Sequence, residues 1–170
     1  MDIRQALPSD VDRLMEIFEE ARYTISLLGI DQWQNGYPSR DVIEKDVELG
    51  QSYCICTGGK PCGTMVLILD GEPLYDWIDN GEWLTGSSNQ NYLTIHRVAI
   101  SVDCRGKGIS TSMIKDASEF ATQHGKTSLR IDTHHGNVVM RRMLEKNGFQ
   151  ACGVIYLANG DPRVAYEKIL

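Results

Sequence analysis

No apolar stretch in these 170 residues is long enough to cross a bilayer. The longest, such as Met65 to Leu69 and Val98 to Ile100, fall far short of the roughly 20 residues required, and no membrane association is expected. The amino terminus, Met1-Asp2-Ile3-Arg4-Gln5, lacks a basic region followed by an apolar one. No secretory signal is read there, and a cytoplasmic, reducing setting is the default expectation. Excess positive charge is lacking too: 17 Lys and Arg against 23 Asp and Glu leave a net charge of −6. That argues against general attraction to nucleic acid or anionic lipid. A polyanionic ligand must find a local basic site, which a Debye length of about 8 Å permits. Cysteines in C-x-x-C spacing are missing, and the five present (Cys54, Cys56, Cys62, Cys104, Cys152) are odd in number and scattered, which speaks against a disulfide framework. Cys54 and Cys56 would share a strand face, and with His96, His134 or His135 they make an imaginable ligand set. Small core hydrophobes account for them better, and no metal is expected. Repeats, low-complexity tracts and Pro/Gly-rich linkers are absent as well, so one domain over residues 1–170 is expected.

What is present alternates between strand-like and helix-like patterns. After a short strand near Ile3, Pro8-Ser9-Asp10 reads as a helix start, and Val11, Leu14, Phe18, Ala21, Ile25 and Leu28 recur at spacings of three and four up to a stop at Gly29. A coiled-coil seam is the rival reading, but the pattern covers too few heptads. Ser39 predicts a cap for a helix over 41–49, and Ser52 to Thr57 with Gly63 to Leu69 predict a hairpin about Gly58-Gly59-Lys60-Pro61. Asp70 to Asn91 is a long loop carrying Tyr75, Trp77 and Trp83.

Tyr92 to Val102 reads as a strand whose apolar phase changes, with Leu93 and Ile95 on one parity and Val98, Ile100 and Val102 on the other. Two readings stay open: a bulge near His96-Arg97, or a strand buried on both faces. A helix follows to about His124, then a strand over 128–132, a helix over 137–147 ending at Gly148, and a closing hairpin about Asn159-Gly160-Asp161-Pro162. Met140 and Met143 are read as core.

Between strand and helix lies Arg105-Gly106-Lys107-Gly108-Ile109-Ser110. A glycine turn at a helix N-terminus exposes unpaired backbone N–H groups where the helix dipole is positive, and Arg105 and Lys107 add donors for a pyrophosphate. The Walker pattern Gly-x-x-x-x-Gly-Lys-Ser/Thr is absent. A dinucleotide fingerprint matches only Gly106 and Gly108, with Thr111 in the third glycine's place, although Asp132 sits tolerably for a ribose-binding acid.

His96-Arg97-Val98-Ala99-Ile100 followed by Arg105 to Ser110 resembles the central motif of the GNAT superfamily of acyl-CoA-dependent N-acetyltransferases, Gln/Arg-x-x-Gly-x-Gly/Ala, with Ser110 replacing the last small residue. Downstream, Asn137-Val138-Val139-Met140 and Leu144-Glu145-Lys146-Asn147-Gly148-Phe149 resemble the second motif, Asn-x-x-Ala-x-x-Leu-Tyr-Glu-Lys-x-Gly-Phe. The likeness covers about Tyr92 to Ile155. It implies an α/β (α+β) fold, a mixed and mostly antiparallel twisted sheet flanked by helices on both faces, and direct acetyl transfer from acetyl-CoA, as co-substrate, to a primary amine of a small molecule or peptide.

By position, the resemblance implies that the backbones of Val98, Ala99 and Ile100 hold the pantetheine arm. Arg105, Gly106, Lys107, Gly108, Ile109 and Ser110 would hold the pyrophosphate, and Asn137 would contact the cofactor, a role compatible with capping its helix. Where the family often has a tyrosine that protonates the leaving thiolate, Leu144 stands. His96 is the first candidate for a base or proton relay and His134 the second, with loss of the amine proton to water as the alternative. Trp33 and Tyr37, after the first helix, and the segment Tyr75 to Trp83 are expected to meet the acceptor. A homodimer is allowed by the sequence without being indicated by it. Two other readings are a non-catalytic acyl-CoA sensor and a dinucleotide-binding redox protein.

Overall fold

The computed structural model describes residues 2–170. Seven strands, β1 (Asp2–Gln5), β2 (Ser52–Thr57), β3 (Lys60–Ile68), β4 (Tyr92–Ile100), β5 (Ser128–Thr133), β6 (Gln150–Tyr156) and β7 (Pro162–Ile169), make a mixed sheet of order β1-β2-β3-β4-β5-β7-β6. The β4–β5 ladder is parallel, while β1–β2, β2–β3, β5–β7 and β6–β7 are antiparallel. Four α-helices complete it: α1 (Val11–Ser26), α2 (Arg40–Glu48), α3 (Ile109–Gln123) and α4 (Val138–Lys146). Among the described residues, no helix is long and apolar enough to cross a membrane.

The chain divides into two compact units, the first comprising Met1–Leu67 and Arg97–Met113 and the second Ile68–His96 and Ile114–Leu170. In the first, the Asp10 carboxylate accepts the Leu7 N–H and pairs with Arg4, fixing the 3-10 turn from which α1 starts. The buried stripe of α1 is Val11, Leu14, Ile17, Phe18, Ala21 and Ile25, and all but Ile25 pack with Ile43 and Val47 of α2 and with Cys54 and Cys56 of β2. Ser39 stands at the N-cap of α2 in extended conformation, but its side chain makes no capping bond, contrary to expectation. Gly58 and Gly59 both take positive φ, as the two-residue β2–β3 hairpin requires. Cys54, Cys56, Cys62 and Cys152 are buried, Cys104 is half-buried, and all five are free thiols. Burial pushes the Cys54 thiol up to about 12, which makes it inert.

In the second unit the long segment after β3 is pinned at several points. Asp79 and Val154 of β6 exchange backbone hydrogen bonds, and Tyr75 and Trp83 are buried with Tyr92, Cys152, Ile155 and Ala165. Trp77 is the exception, exposed on the surface. A fully buried ion pair anchors the end of the segment: Arg130 and Glu167 face each other across β5 and β7, with Arg130 Nε donating to Glu167 Oε1 at 3.0 Å. Ser128 and Thr85 also donate to that carboxylate, as do the Leu84 and Thr85 N–H groups, while Arg130 donates to the Gly86 carbonyl. The guanidinium lies 4.2 Å from the Trp83 ring centroid and 3.9 Å from that of Tyr92.

Two further sequence expectations need correction. The strand β4 ends at Ile100, and Val102 is an exposed residue of the 3-10 turn beyond it, while Ala99 is more deeply buried than Val98 or Ile100. The cause is Arg97, whose φ of 50° breaks the alternation; the residues before it, Tyr92 to Ile95, are buried on both faces. The reading of a strand buried on both faces thus describes the half of β4 before His96. On α4 only Leu144 is buried, so Met140 and Met143 are half-buried and not core.

Candidate active site

In the second unit, β4 and β5 register over three pairs only, Tyr92 with Ser128, Leu93 with Leu129 and Thr94 with Arg130. His96 and Asp132 each lie two residues past the last pair, on strands that have stopped bonding to one another in register. The segment after β3 supplies both their partners. His96 Nε2 lies 2.7 Å from Glu72 Oε2, and the Tyr75 hydroxyl donates to Asp132 Oδ2 at 2.8 Å. The Tyr75 and His96 rings are 6.2 Å apart.

The local chain explains this placement. Glu72 caps the 3-10 turn Pro73–Tyr75, accepting the Leu74 N–H through Oε1, and its own N–H donates to the Tyr92 hydroxyl at 3.1 Å. Burial pushes the Asp132 carboxyl above its ordinary value, against the opposing pull of His96, the Tyr75 hydrogen bond and Arg163. Burial, with Asp132 and Glu72 nearby, drives the Tyr75 phenol far up, so it stays protonated and donates.

In the first unit, the glycine loop runs from β4 into α3. Gly106 and Gly108 both have φ of 76°, the left-handed conformation that glycine adopts without cost, and a Cβ at either would meet nothing within 4 Å. The cradle is open. Lys107 Nζ donates to the Asp103 carbonyl at 2.8 Å and Arg105 Nε to that of Ile100 at 3.3 Å, so both cations are tethered beside the first turn of α3. Unpaired helix N–H groups and tethered cations together can bind a pyrophosphate. Close below, Gly63 approaches β4, where a Cβ would stand 3.3 Å from the Ala99 carbonyl oxygen.

Arg97 is held in its left-handed conformation by side-chain bonds within the same unit. Its Nε and one terminal nitrogen grip buried Asp46 at 2.7 Å each, and the other terminal nitrogen donates to the Tyr37 hydroxyl at 2.7 Å. Trp33 packs edge-on against Phe18, with ring centroids 5.7 Å apart, and also meets Tyr37 at 6.4 Å.

A family model described as Acetyltransferase (GNAT) family matches residues 11–149. The chain belongs to the acetyltransferase (GNAT) family. An acetyltransferase of that family from Streptococcus agalactiae 2603 is 37% identical, with 99% of this chain and 95% of that one covered and a TM-score of 0.88. A GNAT acetyltransferase from Listeria monocytogenes 4b F2365 is 24% identical, with 99% and 94% covered and a TM-score of 0.72. The PaiA N-acetyltransferase of Thermoplasma acidophilum, solved with coenzyme A, is 16% identical, with 99% and 98% covered and a TM-score of 0.74. Among curated proteins, none matches the chain significantly.

The remaining positions of this GNAT chain separate into those with a visible bonding role and those without. Asn137 caps α4, its side chain accepting the Met140 N–H at 3.2 Å. His134 follows β5, with Nδ1 accepting the Gly136 N–H at 3.0 Å and its ring stacked on His135. Leu144 is fully buried and serves as a packing residue. Glu72 was not anticipated as a partner of His96. Its signal was the pair Glu72-Pro73, a 3-10 start, which tells where a turn begins and nothing of what the carboxylate meets. Among the described residues, no three His, Cys, Asp or Glu side chains form a metal-holding cluster.

Proposed function

We propose that this GNAT acetyltransferase moves an acetyl group from acetyl-CoA directly to a primary amine of a small molecule or peptide, and that the whole chain 1–170 serves as one catalytic domain. The observation that carries the proposal is the open loop before α3, with two left-handed glycines whose Cβ positions face empty space. Acetyl-CoA supplies an activated thioester carbonyl and a thiolate leaving group.

In this reading the backbones of Val98, Ala99 and Ile100 bind the pantetheine arm. Arg105, Gly106, Lys107, Gly108, Ile109 and Ser110 bind the pyrophosphate, and Asn137 contacts the cofactor while capping its helix. Trp33 and Tyr37 face the acceptor: Tyr37 is partly exposed, while Trp33 acts through its packing on Phe18. His96 takes the proton that the amine loses as the C–N bond forms and the C–S bond breaks, and His134 is the second candidate for that role. A positioned acid contributes about 10²–10⁴-fold, and a thiolate with a pKa of about 8.5 departs readily, so Leu144 is compatible with turnover.

Calorimetry with acetyl-CoA, followed by free-thiol release across a panel of amines, tests the proposal. Amine-dependent release is the expected result, and failure to bind acetyl-CoA overturns it. A second reading, a sensor that binds acyl-CoA without turnover, is favoured by the buried Leu144 and predicts stoichiometric binding with no release on any amine. Preference for NAD over acetyl-CoA revives a dinucleotide role.

A further inference from the structure

The chemistry assigned to His96 leaves open which ring nitrogen does it and what holds the ring. The surroundings decide both. Nε2 faces Glu72 Oε2 at 2.7 Å, and an ionised carboxylate only accepts hydrogen bonds, so in the neutral ring the proton resides on Nε2. Nδ1 carries no hydrogen bond from the described residues, and the side chain as a whole is 18% exposed. The groups around the ring are Glu72 and Tyr75 from the segment after β3 and Asp132 from β5, with the Tyr92 hydroxyl acting on Glu72 and Arg163 of β7 on Asp132.

Glu72 is itself immobilised at three atoms, by the Leu74 N–H at Oε1, by His96 at Oε2 and by the Tyr92 hydroxyl at its own N–H. A carboxylate that only clipped a loop to the sheet would not need its second oxygen on an imidazole of β4 beyond the last β4–β5 pair.

We propose that Glu72 is a positioning residue for acetyl transfer, holding His96 as the Nε2–H tautomer so that Nδ1 accepts the proton released by the acceptor amine. The proposal rests on His96 being the base. In the forward step the amine nitrogen forms a bond to the acetyl carbon, its proton passes to His96 Nδ1, and the C–S bond breaks to give the thiolate. The imidazolium so formed is compensated by Glu72, and it loses its proton to solvent or to the thiolate before the next turnover. This is the division of labour by which a buried carboxylate orients the imidazole of hydrolytic triads.

The test uses the full chain labelled with 15N-histidine. Four histidines are present, and the His96 signals are assigned by their loss in His96→Gln. Above the titration of the ring, wild-type His96 is expected to show the Nε2–H pattern, and Glu72→Gln to show a mixed or reversed one. The glutamine keeps the oxygen that caps the turn while offering Nε2 a donor. In the thiol-release assay, Glu72→Gln is expected to lower kcat about 10- to 100-fold, a part of the roughly 10²–10⁴-fold that a base supplies, with KM for acetyl-CoA within about twofold of wild type. A wild-type neutral ring protonated on Nδ1 overturns the proposal even if Glu72→Gln does not fold. So does an unchanged kcat in Glu72→Gln beside an inactive His96→Gln. An undiminished kcat in His96→Gln instead defeats the base assignment itself, whatever the tautomer.

Discussion

Substituting Glu167 by Gln tests how the second unit keeps its charged pair dry. Glu167 and Arg130 are both 0% exposed, and the carboxylate gathers donors from Arg130 and Ser128 on Oε1 and from the Leu84 and Thr85 N–H groups on Oε2. Glutamine has nearly the same shape but only one acceptor oxygen. Whichever way the amide turns, its NH₂ faces donors, and the Arg130 charge loses its counter-ion. The Arg130 Nη1 already lacks a hydrogen-bond partner among the described residues. The Trp83 and Tyr92 faces remain, but a cation–π contact contributes only about 0.5–2 kcal/mol. Removing one member of a buried pair costs about 3–5 kcal/mol, and at roughly 2–4 °C per kcal/mol for a chain of this size the expected fall in Tm is about 6–20 °C. Urea unfolding should show a lower midpoint with an unchanged slope, the mark of lost stability in a preserved native state. In an Arg130→Met background the same substitution should cost much less, because no stranded charge remains. A loss below about 1 kcal/mol, or full additivity of the two changes, would refute this account of the pair.

Acid should act on the same group. Burial alone would raise the Glu167 carboxyl, but its bonds from Ser128, Thr85 and Arg130 outweigh that and hold it below the usual value; the Arg4 hydrogen bond likewise lowers Asp10. A depressed carboxyl contributes stability that is complete above the unfolded value, about 4.3 for Glu and 3.9 for Asp, and is lost as pH falls through the lower folded value. Stability measured from about pH 5 downward should therefore fall in wild type and fall less steeply in Glu167→Gln. Gly108→Asp is expected to weaken acetyl-CoA binding at least tenfold by calorimetry, since it puts a carboxylate into the open cradle at a left-handed position. Unchanged affinity in a folded Gly108→Asp protein would show that the phosphates bind elsewhere. Gly81→Ala would drive a Cβ into the Cys152 carbonyl group, so a drop in Tm worth about 1–3 kcal/mol is expected, and a wild-type Tm would contradict that close approach.

Elements with a period were legible from residues alone. The stripe of α1 and the cap of α4 each obey a local rule of spacing or backbone conformation, and the structure keeps them within a residue or two; the glycine hairpin was legible as well, but its second strand begins at Lys60, three residues before the expected Gly63. Arg130 and Glu167 were not legible as core. In Ser128-Leu129-Arg130-Ile131 and Tyr166-Glu167-Lys168 alternation reads them as solvent-facing, and only the register that sets them opposite each other makes their burial possible. Glu72 and Tyr75 were hidden for a different reason, since their segment has no period and their partners His96 and Asp132 are 24 and 57 positions away in sequence. The half-burial of Met140 and Met143 likewise depends on how little of α4 is covered.

The brevity of the β4–β5 ladder bears on how the protein breathes. With three registered pairs against six between β6 and β7, this seam has few hydrogen bonds to break for a local opening. Amide hydrogens of Ile95 and His96 should therefore exchange with solvent through small local fluctuations, while those of the β6–β7 hairpin wait for a larger unfolding event. The seam that carries His96 is thus easier to open than the β6–β7 hairpin, and a ligand seated there would register as slowed exchange at a handful of consecutive amides.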